Sequence, residues 1–205
     1  MLPRIDARPA YSFGGSDQLA FQIRQGAPAD VFASASPELT QALFREGLVE
    51  TPQAFASNSL ALAVPRSNPA RLESVFDLRR RTNVKLVVGT AQVPVGAYTR
   101  EVLKRLRLSG VLAQVVSEEP DARSIVGKLA LGEADAGFVY RTDVVPVADR
   151  VKAIVIPARW QPSVRYEVAV VRTASDRAAA RRFVTALATS EPARRAFARA
   201  GFGSP

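Results

Sequence analysis

The segment Phe13-Gly14-Gly15-Ser16-Asp17-Gln18-Leu19-Ala20 sets a glycine pair ahead of a serine that opens an amphipathic stretch. Glycines let the backbone turn tightly against a ligand, and a helix start offers unbonded N–H groups at the positive end of its dipole, so this pattern suits an anion. Three further segments invite the same chemistry. Gln92-Val93-Pro94-Val95-Gly96-Ala97-Tyr98 runs from an expected strand into an expected helix, and N–H groups near Val95 and Gly96 can donate to an oxyanion there. Glu118-Glu119-Pro120-Asp121-Ala122-Arg123-Ser124 is a second strand-to-helix passage, with Asp121 as N-cap, Ala122 and Arg123 in the first turn, and the acidic pair expected to face solvent. Gly137-Phe138-Val139-Tyr140 ends an expected strand on a tyrosine whose hydroxyl can donate into a cleft. Each segment alone also reads as plain architecture: a serine cap, a Pro-Gly turn, a capped helix with a surface salt bridge, a core tyrosine. Together they are neutral donors, and such dipoles can hold a desolvated oxyanion without a formal countercharge.

Other chemistries are excluded or disfavoured by composition. The chain has 205 residues with no cysteine and no histidine, which removes disulfides, thiolate sites, the usual base of a hydrolase triad and the commonest transition-metal ligand. Ser16 therefore has no histidine partner, and no carboxylate pair or metal cluster stands at the strand ends, so the expectation is a binding protein, not an enzyme. The formal charge of +9 attracts anions in general. Its densest groups, Arg79 to Arg81 and the arginines from Arg177 to Arg199, lack an interleaved aromatic platform and are read as solvated faces, with no nucleic acid as partner. No apolar run approaches the length of a spanning helix, and MLPRIDARPA has no apolar core of the kind an export signal needs.

The elements that must position these donors alternate along the chain. Strands are expected over 29–33, 60–64, 85–89, 113–116, 136–140, 152–156 and 166–172. Helices are expected over 16–25, 37–46, 74–80, 96–106, 121–131, 176–189 and 191–200. Ser16, Ser36 and Ser190 serve as start signals, and Gly47 and Gly201 as stops. This order implies an α/β fold with largely parallel strands.

Read jointly, YSFGGSDQLAFQIRQGAPADVFASAS at 11–36, VPVGAY at 93–98, DARSIVGKLALGEADAGFVYRTDV at 121–144, YEVAVV at 166–171 and EPARRAFARAGF at 191–202 resemble the periplasmic molybdate-binding proteins of ABC-type importers. The resemblance implies a two-lobed type II periplasmic-binding-protein fold with a mainly parallel sheet in each lobe and the anion enclosed between them. Lobe one would comprise 1–62 and 169–205, lobe two 63–168. It also implies the ligand set: Ser16 through its hydroxyl and N–H, Val95 and Ala122 through backbone N–H groups, and Tyr140 through its hydroxyl. Molybdenum or tungsten would enter only as the oxyanion, with no direct metal ligand and no cofactor. The implied partner is the importer's permease, the implied state a monomer, the implied location periplasmic or extracytoplasmic. The same fold also serves oxyanion-sensing regulatory modules, although no helix-turn-helix precedes it here. The family normally opens with a strand, a loop bearing another ligand serine and a helix before the YSFGGS-like stretch. Residues 1–10 stand in their place, so lobe one is expected to be incomplete at its N-terminal side, the chain being either a truncated product or misassigned start of a longer protein or a divergent, binding-impaired relative.

Overall fold

The computed structural model describes residues 10–205; the expected N-terminal gap in lobe one falls on positions outside the described residues. Two compact units are formed, one running to Asn58 and resuming over Val164–Pro205, the other spanning Ser59–Ser163. The first opens with α1 (Ser16–Arg24), β1 (Val31–Ser34), α2 (Pro37–Arg45) and β2 (Gln53–Asn58). The second contains β3 (Leu60–Pro65), β4 (Leu86–Gly89), α3 (Pro94–Arg105), β5 (Val115–Glu119) and α4 (Ala122–Leu131). It continues with β6 (Ala136–Tyr140), the single turn α5 (Arg141–Val144) and β7 (Val151–Val155). The chain then returns to the first unit as β8 (Val164–Val170), α6 (Arg177–Thr189) and α7 (Glu191–Arg199).

The α/β class stands, but the expectation of a mainly parallel sheet in each lobe is corrected. The first unit's sheet has the order β1-β8-β2, and both pairings are antiparallel. The second unit's order is β5-β4-β6-β3-β7, in which β4 runs parallel to β5 and β6 while β3 runs antiparallel to β6 and β7. The reason lies in the two strands at the crossings. β1 and β2 do run the same way, as a strand-helix-strand passage requires. The returning β8 inserts between them in the opposite sense, and β3 does the same between β6 and β7. Both strands also pair along their length within one sheet, so the chain changes unit at 58/59 and 163/164, ahead of the expected 62/63 and 168/169.

Burial follows from these positions. In β8, Ala169 and the following Val171 pack with Ala20, Ile23, Phe32, Leu43 and Val49, while Val168 and Val170 pack with Ala180, Val184 and Leu187. The two-residue period of a strand thus gives the central strand a core on each face. In the second unit all residues of β3, β4 and β6 are buried, which suits their continuous apolar runs. The edge strands instead expose Val116 and Val155. The expected helix over 74–80 is a shorter 3-10 turn, Val75–Arg79, closed by a Ser74/Asp77 capping box. Gly47 and Gly201 take positive φ after α2 and α7, as stop residues do.

Candidate functional site

In the first unit Ser16 does not cap α1, contrary to the sequence expectation. Gly15 is the cap and Ser16 the first helical residue, and no side chain closes the helix start. The intrahelical ladder begins with the Leu19 N–H on the Gly15 carbonyl at 3.0 Å, so the N–H groups of Ser16, Asp17 and Gln18 precede it. The Ser16 hydroxyl accepts the Ala35 N–H at 3.2 Å. A hydroxyl has one proton to give and two lone pairs to offer, so this contact leaves its proton for a ligand. Ala35 is fixed in turn by its neighbours, because the buried Ser34 hydroxyl donates to the Ser36 carbonyl and accepts the Ser36 N–H, both at 3.0 Å. Asp17 buries its Oδ1 without a hydrogen-bond partner. Its place in the first turn of α1 offsets part of that cost through the helix dipole.

The second unit holds the other three residues, each at the C-terminal end of one of the adjacent parallel strands β5, β4 and β6. That edge is where ligands bind in open α/β sheets. Val95 stands in the first turn of α3. Pro94 has no N–H to give, and the N–H groups of Gly96 and Ala97 both donate to the Val93 carbonyl at 3.0 Å. Gly96 is thereby removed from the expected donors, and the Val95 N–H is left without an acceptor in the turn. Gly96 has a different task. A Cβ there would lie 1.9 Å from the Thr90 carbonyl oxygen and 2.4 Å from that of Gly89, so only glycine lets the helix start this close to β4.

Ala122 opens α4. Its cap Asp121 accepts the Ser124 N–H at 2.7 Å, which leaves the Ala122 N–H outside the cap's reach. Tyr140 ends β6, is 6% exposed, and donates its backbone N–H to Asp143 Oδ2 at 3.0 Å. Burial pushes the Asp143 carboxyl up to about 6, against the Tyr140 N–H and the nearby Arg123 charge, and Asp121 adds to the rise. Sequence reasoning missed Asp143; its signal was an acidic residue three positions past the strand's last residue, where it can bond back to the helix start.

The expectation that Glu118 and Glu119 both face solvent holds for Glu118, which is exposed, and is corrected for Glu119. Glu119 is 9% exposed, accepts the Ser117 hydroxyl at 2.6 Å and lies 3.6 Å from Lys128 Nζ. Glu118 is paired with Arg100. Positive partners thus accompany both carboxylates at the end of β5.

Residues 6–203 match the family model described as bacterial extracellular solute-binding protein. The chain is 35% identical over 196 residues to the molybdate-binding protein ModA of Mycobacterium tuberculosis, covering 95% of this chain and 73% of that relative. Among solved structures it is similar to the substrate binding domain of a putative molybdenum ABC transporter from Clostridium difficile, with TM-score 0.71, 29% identity and coverage of 95% and 85%. The periplasmic molybdate-binding protein of Azotobacter vinelandii superposes with TM-score 0.81 over 95% of this chain and 86% of that one; at 22% identity this likeness bears on the fold alone.

Proposed function

Because this chain belongs to the bacterial extracellular solute-binding protein family, we propose that it captures a tetrahedral oxyanion, molybdate or tungstate, outside the cytoplasm and delivers it as a monomer to the permease of an ABC-type importer. Its relatives are binding proteins and not enzymes, and capture needs no bond to be made or broken. The observation that carries the reading is the state of the donors. The Ser16 hydroxyl is held through its lone pair with its proton left to give, and the N–H groups of Val95 and Ala122 start helices without an acceptor in their turns. Tyr140 adds a buried hydroxyl at the same sheet edge as Val95 and Ala122.

Such donors suit a fully ionised oxyanion. It accepts from every side and gives no proton, so N–H and O–H groups can replace its hydration shell without a lysine or arginine in direct contact. Each charge-assisted bond is worth roughly 1.5–3 kcal/mol, and choice among tetrahedral anions falls to the size of the space and the number of donors.

A thermal-shift series with molybdate, tungstate, sulfate and phosphate separates these anions. A ligand at 100 times its Kd stabilises the folded chain by about 2.7 kcal/mol. Molybdate and tungstate are expected to raise the midpoint at concentrations where sulfate and phosphate leave it in place; a larger shift from sulfate or phosphate would reassign the ligand.

A further inference from the structure

Arg100 lies on α3 one turn beyond Gly96, and its guanidinium reaches three partners on three elements. Its Nη1 donates to the Gly89 carbonyl at the end of β4 at 2.9 Å and to the Gly96 carbonyl in the first turn of α3 at 3.1 Å, while Nη2 is paired with Glu118 on β5. The two carbonyls flank the loop between β4 and α3, the same loop that the absent Cβ of Gly96 allows to close on Thr90 and Gly89. Val95 is the residue just before Gly96, so it lies within the stretch whose two ends this group ties.

The charge has a second consequence. Glu118 belongs to the same sheet edge as Val95, Ala122 and Tyr140, and an unpaired carboxylate there would repel an anion. Lys128 stands near Glu119 in the same way, but among the described residues Arg100 alone joins a carboxylate of β5 to the loop that carries Val95. A planar fork is needed for this, since one Nη serves two carbonyls while the other meets the carboxylate; an ammonium is a point charge without that geometry.

We propose that Arg100 is a positioning residue of the oxyanion site: it aims the Val95 N–H by clamping the β4–α3 loop, and it cancels the charge of Glu118 without touching the ligand. This rests on the function proposed above. The test is calorimetric titration of the full chain with molybdate, using the wild type, Arg100→Met, Arg100→Lys and the double variant Arg100→Met/Glu118→Gln. Thermal unfolding of each variant is measured alongside. Arg100→Met is expected to weaken molybdate at least tenfold. Arg100→Lys, which keeps the charge and loses the fork, should lie between it and the wild type. The double variant should recover at least threefold over Arg100→Met while its unfolding midpoint stays at that of Arg100→Met, a separation that a purely structural role would not produce.

Arg100→Met within twofold of the wild type, or no recovery in the double variant, would overturn the proposal. If Arg100→Met does not fold, Arg100→Lys decides: the Val95 amide signal must move in its NMR spectrum and molybdate must weaken, and an unmoved signal with unchanged affinity overturns the proposal. A wild-type chain that binds no molybdate would sink the proposed function itself, an outcome distinct from either of these.

Discussion

At single residues, oxyanion capture depends on donors whose remaining valence is set by neighbours. Ser16 is the clearest, because the Ala35 N–H occupies one side of its hydroxyl. Ser16→Ala should weaken oxyanion binding about 10- to 100-fold, the worth of one charge-assisted hydrogen bond, and Ser16→Thr should restore most of it. Equilibrium titration reads this directly, and equal affinity in Ser16→Ala would remove the residue from the site. Asp143 makes a different prediction, about stability. Its carboxyl is raised to about 6 in the folded chain from 3.8, so the unfolded chain ionises first as pH rises. Below the unfolded value both states are protonated and nothing is lost. Stability then falls as pH climbs toward 6, and above that the full penalty of a buried charge remains, about 3 kcal/mol at the unit conversion for such a shift. Asp143→Asn keeps an acceptor for the Tyr140 N–H and loses the titration. Urea unfolding from pH 4 to 8 should therefore show the variant gaining on the wild type as pH rises, whereas parallel curves would refute it.

Elements explain what could and could not be read from the sequence. The run Ala136 to Tyr140 was legible to the residue, because a buried central strand is an unbroken apolar stretch between polar ends. Ser36, Asp121 and Ser190 were legible as helix caps. The strand Gln53–Asn58 was missed: QAFASN carries no β-branched residue, and it owes its form to pairing with β8, more than a hundred positions away. The antiparallel sense of β8 and β3 was hidden for the same reason, since local periodicity is silent about which distant strand fills a gap. In the proposed site, the segments bearing Ser16, Val95, Ala122 and Tyr140 stood out by type and spacing. The engagement of Gly96, the inward turn of Glu119 and the clamp by Arg100 did not, because each depends on a tertiary partner. Gly96→Ala forces α3 away from β4 by the 1.9 Å contact with Thr90, and it should destabilise the chain by roughly 2 kcal/mol or more and carry oxyanion affinity down with it. Chemical denaturation with parallel anion titration tests both halves.

On the scale of the whole molecule, the chain passes from one unit to the other at 58/59 and returns at 163/164. Inside the second unit the two passages are tied by one side chain: the Gln161 amide donates to the Leu60 carbonyl at 2.8 Å and accepts the Leu60 N–H at 2.9 Å, as a neighbouring strand would. The donors are divided in the same way, Ser16 in one unit and Val95, Ala122 and Tyr140 in the other. Isothermal titration calorimetry of the full chain with molybdate tests oxyanion capture by this chain. The expected result is saturable binding of one molybdate per chain, lost stepwise in Ser16→Ala and Tyr140→Phe. A well-folded wild-type chain that gives no heat with molybdate or tungstate, or whose binding is unchanged by both substitutions, would contradict it.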